Sequence, residues 1–222
     1  MKDSHLLPLL TLAKKMKGKG SVYISSKDLG NELGVSQQTA SRWLMELESF
    51  GAIDRKYVKG GQTVTLTKQG KNYLEIIFLD LCGLFIKEND ELTIEGKIIS
   101  GLGEGKYYVS RPFYKKQFED KLGFIPFPGT LNIKLKEETD ILLRNFLERC
   151  PASLVKSGTD EGRSFGHVRC YKALVDDKIK GALIIPLRTH HPPNVVEIIS
   201  PKNLKNDLKK KDGDCVKIKV EV

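Results

Sequence analysis

The spacing of apolar residues changes abruptly near residue 88, and this change constrains the fold more than any other feature of the sequence. Before it, apolar residues recur every three or four positions, as in amphipathic helices. From about Glu91 they alternate in short runs that are broken by glycine and proline. A chain of 222 residues is long enough for two small hydrophobic cores. We therefore predict a multidomain protein, with an N-terminal α+β domain over residues 1–88 and a mainly-β domain over residues 89–222.

The first of these domains contains a helix-turn-helix pattern. Ser25 or Ser26 can cap a helix that ends near Leu33, a glycine-containing turn follows, and Ser36 can cap a second helix. On that second helix one face is apolar, with Ala40, Trp43, Leu44, Leu47 and Phe50 at helical spacing. The opposite side is polar, and in a helix-turn-helix such a helix can enter the DNA major groove.

A basic hairpin and a further helix follow this pattern. Residues 53–57 and 63–67 are predicted to pair as strands around two glycines, and residues 68–85 are predicted to form a helix. The apolar residues predicted to point inward from that helix are Tyr73, Leu74, Ile77, Phe78 and Leu81. The order of elements resembles the winged helix-turn-helix domain of prokaryotic transcription regulators.

DNA binding is one of two roles that such a domain can have. The residues predicted to face bases are Gln37, Gln38, Ser41 and Arg42, and those predicted to contact phosphates are Arg55, Lys56 and Lys59. Regulators of this type usually bind paired half-sites, so we expect a homodimer. Winged helices also serve as dimerisation or docking modules without DNA, and the sequence leaves that alternative open.

Charge and composition narrow the class of protein further. Lysine and arginine outnumber acidic residues 37 to 28, which favours polyanionic partners such as nucleic acids or nucleotides. The four cysteines are scattered without a CxxC spacing, so neither a zinc site nor a disulfide framework is indicated. No run approaches the ~18 apolar residues of a membrane helix, and the first eight residues lack the apolar core of a signal peptide. We expect a soluble, cytoplasmic protein.

A glycine-rich run opens the second domain. Gly101, Gly103 and Gly105 alternate with other residues directly after a predicted strand, and Lys106 follows them. Backbone N–H groups in such a run can converge on a di- or triphosphate, because glycine tolerates positive φ angles and close approach. The spacing is neither that of a Walker A loop nor that of a dinucleotide-binding loop, and a plain glycine hairpin remains the alternative.

Two further motifs place polar side chains on predicted strands. Thr130 and Asn132 share one face of a strand, where a hydroxyl and an amide oxygen can supply two neutral ligands to magnesium. Ordinary polar residues on a solvent-exposed face are the alternative. Glu197 interrupts the apolar run of residues 195–199, so its carboxylate must face solvent or bind a ligand. The adjacent His190 and His191 suggest a metal site, but sequence neighbours point in different directions and no third ligand is evident, so a structural or surface role is favoured.

The ordered motifs at residues 101–106, 126–132, 162–166 and 186–200 together resemble the archaeal riboflavin kinase family, which uses CTP rather than ATP. The resemblance covers nearly all of residues 91–222. Some members also carry an N-terminal winged helix, which in some of them regulates riboflavin genes. The resemblance implies a six-stranded β-barrel that converts CTP and riboflavin to CDP and FMN.

The family pattern also implies roles for individual residues. It implies nucleotide binding by Gly101, Leu102, Gly103, Glu104, Gly105, Lys106, Lys202, Asn203, Leu204 and Lys205. It implies Mg²⁺ binding by Thr130 and Asn132, and flavin binding by Thr189 and Glu197. Our hypothesis is that Glu197 is also catalytic, orienting the ribityl 5′-hydroxyl and accepting its proton.

Two other functions compete with a kinase. A transcription regulator could keep the second domain only as a sensor of flavin or nucleotide, but such a sensor would not need the Thr130 and Asn132 pair. A barrel that binds nucleic acid would be expected to cluster arginine and aromatic residues on one face. The aromatic residues here gather around turns instead.

Overall fold

The computed structural model describes residues 3–101, 103–160, 163–189 and 191–222. The chain divides into two compact units, Met1–Asp80 and Leu81–Val222. The division falls inside a continuous helix, Lys68–Phe85, a few residues before the boundary predicted at residue 88. Among the described residues, no helix is both long enough and apolar enough to cross a membrane.

The first unit combines helices with a small antiparallel sheet. A 3-10 turn, Asp3–His5, precedes the first helix. The other elements are α1 Leu6–Met16, β1 Ser21–Ile24, α2 Ser26–Leu33, α3 Gln37–Ser49, β2 Ile53–Val58, β3 Gly61–Leu66 and α4 Lys68–Phe85. The strand order is β1-β3-β2, so the predicted hairpin of β2 and β3 gains a third strand that the sequence analysis did not predict.

Side-chain caps define the ends of α2 and α3. Ser25 and Asp28 form a capping box, in which the Asp28 N–H donates to Ser25 Oγ at 3.1 Å. Ser36 caps α3 by accepting a hydrogen bond from the Thr39 N–H, also at 3.1 Å. Gly34 ends α2 in the left-handed conformation, with φ of +66°. The two capped helices and the glycine-containing turn between them are therefore present as predicted, and the winged helix-turn-helix domain stays a prediction.

The core of the first unit lies between α1, α2, α3 and the sheet. It is formed by fully buried aliphatic side chains, including Leu9, Leu12, Leu29, Ala40, Leu44, Leu47 and Val64. Phe50, predicted to face this core, is 45% exposed, because α3 ends at Ser49. The inward orientation predicted along α4 is wrong for Leu81, which is 46% exposed. Tyr73 and Leu74 pack against the core, and the helix continues beyond it.

The second unit is built on strands, with four helices among its described residues. The helices are α5 Glu104–Val109, α6 Pro112–Leu122, α7 Glu138–Leu147 and α8 Leu204–Leu208. The strands are β4 Glu91–Ile99, β5 Leu131–Leu135, β6 Ser153–Val155, β7 Gly158–Asp160, β8 Arg163–Phe165, β9 Val168–Val175, β10 Ile179–Pro186, β11 Val195–Ile199 and β12 Cys215–Glu221. The strands predicted near residues 92, 131, 195 and 216 are confirmed.

Within the described residues, seven strands form one antiparallel sheet in the order β10-β11-β5-β4-β12-β9-β6. Strand β9 also pairs with β10 over its full length. Six strands, β10, β11, β5, β4, β12 and β9, therefore form a cycle in which each strand pairs with two others of the six. Strands β7 and β8 form a separate hairpin. The fold is therefore a mixed α/β fold that is rich in β structure.

The two faces of the sheet carry different side chains. One face packs aliphatic residues such as Ile94, Ile98, Ile133 and Ile218, which are at most 1% exposed. On the other face, Ile184 lies opposite Glu197, Glu197 opposite Asn132, and Asn132 opposite Ile99. Cross-strand partners point to the same side of a sheet, so this row spans four neighbouring strands.

Candidate active site

A cavity of about 390 Å³ lies over the second face of the large sheet. Nine of the residues predicted to bind nucleotide, metal or flavin line it: Gly101, Gly103, Glu104, Gly105, Lys106, Thr130, Asn132, Thr189 and Glu197. Leu102, also predicted to bind nucleotide, and Gly162, in one of the motifs, lie outside the described residues. Residues from four separate segments of the sequence are thus brought to one place.

The strand register determines how the polar residues meet. Asn132 on β5 lies directly opposite Glu197 on β11, and Thr130 immediately precedes β5. The Thr130 hydroxyl donates a hydrogen bond to Glu197 Oε1 at 3.3 Å. The period of two along β5 therefore places a hydroxyl, an amide and a carboxylate side by side.

The glycine run is folded tightly against this polar group. Gly103, with φ of +83°, leads into α5, so the run joins a strand to a helix and the hairpin alternative is wrong. A Cβ atom at Gly101 would lie 2.0 Å from Asn132 Nδ2, and one at Gly105 would lie 2.4 Å from Thr130 Oγ1. Both positions therefore need glycine because the loop lies directly on the Thr130 and Asn132 side chains.

One oxygen at this contact lacks a partner within the described part of the chain. Asn132 is only 6% exposed, and its Oδ1 atom is buried without a hydrogen bond. A buried polar atom that makes no hydrogen bond costs free energy, about 1–3 kcal/mol. Such an atom is expected where a ligand completes the site.

The surroundings of Glu197 make its carboxylate take up a proton more readily than that of an ordinary glutamate. Burial raises the pKa of Glu197 above its ordinary value, and the nearby Glu104 carboxylate adds to this rise. The charge of His191 and the hydrogen bond from Thr130 act in the opposite direction. A carboxylate with a raised pKa is better suited to accept a proton from a hydroxyl than one at the ordinary value.

Aromatic side chains enclose the other end of the cavity. The rings of Tyr108 and Phe165 meet edge to face with centroids 5.8 Å apart, and those of Tyr114 and Phe165 do so at 5.7 Å. The Tyr114 hydroxyl donates to the Gly166 carbonyl at 2.5 Å, and burial raises the pKa of that hydroxyl. Val109, Phe118 and Ile184 also line the cavity, and they belong to the same buried cluster as Tyr114 and Phe165. The cavity therefore has one polar and one apolar end.

Several residues that line the cavity have no distinct signal in the sequence. His191 lines the cavity, although the sequence favours a structural or surface role for it. Its backbone N–H donates a hydrogen bond to Thr189 Oγ1 at 3.1 Å. His167 and Arg188 also line the cavity. The aromatic residues carried a signal, because they gather around turns, but that clustering does not show which of them share a pocket. His190 lies outside the described residues.

The residues from 202 to 205 do not line this cavity. The Asn203 side chain caps α8 by accepting from the Asn206 N–H at 3.2 Å, and Leu204 is buried. Lys205 Nζ donates to Asp212 Oδ1 at 2.6 Å, and Lys202 Nζ lies 3.9 Å from Asp207. The nucleotide-binding role implied for this segment therefore stays a prediction.

The predicted DNA-contacting residues of the first unit differ in exposure. Gln37, Gln38 and Arg42 are exposed at the start of α3, Ser41 is half-buried, and Lys56 and Lys59 are exposed on the hairpin. The Arg55 side chain is only 4% exposed, and its Nε–H donates to Glu48 Oε2 at 2.9 Å. The same guanidinium contacts Gln62 Oε1 at 3.3 Å, so it joins α3 to the hairpin.

Comparison with known proteins assigns the class of protein to which this fold and site belong. The family model CTP-dep_RFKase, described as a domain of unknown function (DUF120), matches residues 98–220. A riboflavin kinase of Methanosarcina barkeri is 41% identical over 97% of this chain and 96% of its own length. A riboflavin kinase of Archaeoglobus fulgidus is 42% identical over 96% of this chain and 90% of its own length.

A third relative, a riboflavin kinase of Methanospirillum hungatei, is 43% identical over 90% of this chain and 89% of its own length. Identity at this level along nearly the whole chain covers both units. The chain therefore belongs to the archaeal riboflavin kinase family, whose model carries the name CTP-dependent riboflavin kinase.

Proposed function

We propose that the protein transfers the γ-phosphate of CTP to the 5′-hydroxyl of riboflavin, which yields FMN and CDP. The observation that carries this proposal is the convergence of nine predicted site residues on one cavity with a polar and an apolar end. Phosphoryl transfer requires charge neutralisation and in-line positioning more than covalent chemistry, and the polar end supplies groups for both.

The nucleotide phosphates belong at the glycine run. The run ends in the helix α5, and the close contact with Thr130 and Asn132 fixes its backbone beside the polar group. Lys106 adds a positive charge at the same end of the cavity. A rigid glycine loop with an adjacent ammonium group can hold phosphate oxygens without reorganisation during the transfer.

Magnesium belongs at Thr130 and Asn132. The buried Oδ1 of Asn132 has no protein partner among the described residues, and the Thr130 hydroxyl lies beside it on the same face. Two neutral oxygens leave most of the coordination positions to phosphates and water, as magnesium sites in kinases usually do. The bound ion would supply neutralisation of the charge on the transferred group.

Glu197 is the proposed base. Its carboxylate lies opposite Asn132 and accepts the Thr130 hydrogen bond, so it borders the position where phosphate and hydroxyl must meet. With its pKa raised by burial, it can orient the ribityl 5′-hydroxyl and take its proton as the bond to phosphorus forms. Thr189 is proposed to fix the flavin, and its hydroxyl accepts a hydrogen bond from the backbone N–H of His191.

The isoalloxazine ring fits the apolar end of the cavity. Tyr108, Tyr114 and Phe165 offer ring edges and faces there, and aromatic pairs of this kind stabilise a planar ligand beyond simple burial. This orientation directs the ribityl chain toward Glu197. We propose that the six strands with cyclic pairing form the barrel of the family and that this barrel supports the site.

The proposal is tested by incubating the protein with riboflavin, magnesium and each nucleoside triphosphate in turn, and following FMN by chromatography. FMN should form with CTP at a rate well above that with ATP, GTP or UTP. Absence of FMN with every triphosphate would favour the alternative, a regulator that senses flavin or nucleotide without catalysis.

A second function, DNA binding, is proposed for the first unit, which we interpret as a winged helix-turn-helix domain. It is supported by the exposed polar start of α3 together with Lys56 and Lys59 on the adjacent hairpin. Because the Arg55 guanidinium donates a hydrogen bond to Glu48, we propose that Arg55 stabilises the hairpin and does not contact a DNA phosphate. Binding as a homodimer to paired half-sites is expected. Gel-shift titration against genomic fragments, repeated with Arg42→Ala, tests this role.

A further inference from the structure

A turn at residues 211–214 lies against the end of strand β4. The Gly213 N–H donates to the Ile98 carbonyl and the Ile98 N–H donates to the Asp214 carbonyl, both at 2.9 Å. The Asp214 side chain closes the turn by accepting from the Lys211 N–H at 2.8 Å. Gly213 has a φ of +93°, which other residues rarely adopt. The turn is thus held firmly beside the residues that lead into the glycine run.

Asp212 in this turn connects two separate segments of the chain. Its Oδ2 accepts a hydrogen bond from the hydroxyl of Ser100, the residue directly before Gly101. Its Oδ1 accepts from Lys205 Nζ at 2.6 Å, on helix α8. These two hydrogen bonds, that of Lys205 above all, hold the pKa of Asp212 below its ordinary value. One carboxylate therefore ties the glycine run to α8.

Ser100 and Asp212 border an open cavity that is also lined by lysine side chains. Ser100 and Asp212 line a second cavity of about 500 Å³. Lys97 and Lys134 also line it, and the strand register places these two like charges directly opposite each other. An anionic ligand nearby would offset the repulsion between them. The segments joined by Asp212 therefore lie next to space that suits part of a nucleotide.

We propose that Asp212 is a positioning residue for the nucleotide, which acts by locking the glycine run and α8 into one arrangement through Ser100 and Lys205. The proposal rests on the proposed kinase function. Asp212 itself does not need to touch the nucleotide. Its negative charge would repel a triphosphate, so a role through Ser100 and Lys205 fits the geometry better than direct contact with the nucleotide.

The test measures CTP affinity by titration calorimetry on the full chain, for Asp212→Ala, Ser100→Ala and the double variant. Each single variant breaks the Ser100–Asp212 hydrogen bond, and each should raise the Kd for CTP by about tenfold, the cost of one charge-assisted hydrogen bond. The double variant should be little worse than either single variant, because both remove the same link. Riboflavin affinity, followed by flavin fluorescence, should not change.

Asp207→Asn provides the matched control. It removes one carboxylate from helix α8, which lies 3.9 Å from Lys202 Nζ. It should leave the Kd for CTP unchanged or slightly lower it. Electrostatics alone predicts that loss of the negative charge in Asp212→Ala makes CTP bind more tightly. The proposal is overturned if Asp212→Ala binds CTP as tightly as the wild type or more tightly. It is also overturned if the effects of the Ser100 and Asp212 variants simply add.

The Ser100→Ala arm retains every charge and keeps the test decisive if Asp212→Ala does not fold. Failure of the underlying function has a different signature. A wild-type protein that binds no CTP removes the kinase proposal together with this one. A wild-type protein that binds CTP but is insensitive to Ser100→Ala removes the positioning role alone.

Discussion

Substitution of Gly105 by alanine should damage catalysis without damaging the fold. The new Cβ would lie 2.4 Å from Thr130 Oγ1, 2.9 Å from its Cγ2 and 3.1 Å from its Cβ. Ordinary contacts of this kind are roughly 3.5–4.0 Å, so the loop must withdraw by about 1 Å. A misplacement of about 1 Å can cost about 100-fold in rate, which corresponds to about 2.7 kcal/mol of transition-state stabilisation.

The same substitution should be close to neutral for stability. Gly105 lies within α5, where alanine is favoured over glycine by about 1 kcal/mol, and this gain offsets part of the strain. The assay is therefore the steady-state rate of FMN formation, measured beside the thermal unfolding midpoint. We expect kcat/KM for CTP to fall about 100-fold, with a midpoint within a few degrees of the wild type.

Gly83→Ala is the matched control for this prediction. Gly83 also lies in a helix, and its added Cβ would come no closer than 3.9 Å to Phe146. This variant should retain full activity and be slightly more stable. If Gly105→Ala keeps activity within threefold of Gly83→Ala, the contact between the glycine run and Thr130 is not part of the catalytic geometry.

Three further predictions follow from the same geometry. Glu197→Gln should lower kcat by at least about 100-fold and abolish the fall in rate at acidic pH, where the carboxylate takes up a proton; unchanged turnover with intact flavin affinity would remove the base role. It should also raise the unfolding midpoint at neutral pH, because burial disfavours the charged form. Thr130→Ala combined with Asn132→Ala should lose most activity and the dependence on magnesium, and normal kinetics at low magnesium would contradict the metal assignment. Glu48→Gln should destabilise the first unit by about 2 kcal/mol in denaturant titration, with FMN formation unaffected; an unchanged midpoint would show that the Arg55 contact is not stabilising.

The elements that sequence could predict are those with strong local signals. Ser36 caps α3 because a serine hydroxyl satisfies a free N–H at a helix start, and this requires no tertiary information. Strand β12 is visible from strict alternation alone. The short strand β1 is not visible in the sequence, because its four residues gain their pairing only from β3, about forty residues further along the chain.

The site shows the same division between local and long-range information. Thr130 and Asn132 were predicted from their spacing on one strand, but the unpartnered Oδ1 depends on burial beneath the glycine run. Arg55 was expected on a phosphate because a basic hairpin is usually exposed. Its pairing with Glu48 depends on the packing of α3 against the sheet, which no local pattern records.

The hydrogen bond between Asp212 and Ser100 could not be predicted from the sequence. In the sequence, Asp212 precedes a glycine in a predicted turn. Aspartate and glycine are common in turns, so the sequence indicates no further role for Asp212. Only the antiparallel pairing of β12 with β4 brings it to Ser100, a separation of 112 residues along the chain.

The central claim is that this chain makes FMN from riboflavin with CTP as the donor, at the cavity lined by Asn132 and Glu197. The most direct measurement is chromatographic detection of FMN and CDP formed in equal amounts from riboflavin, CTP and magnesium, with the Thr130→Ala and Asn132→Ala double variant run in parallel. The account predicts stoichiometric products from the wild type and little product from the variant. No product from the wild type, or equal product from both, would contradict it.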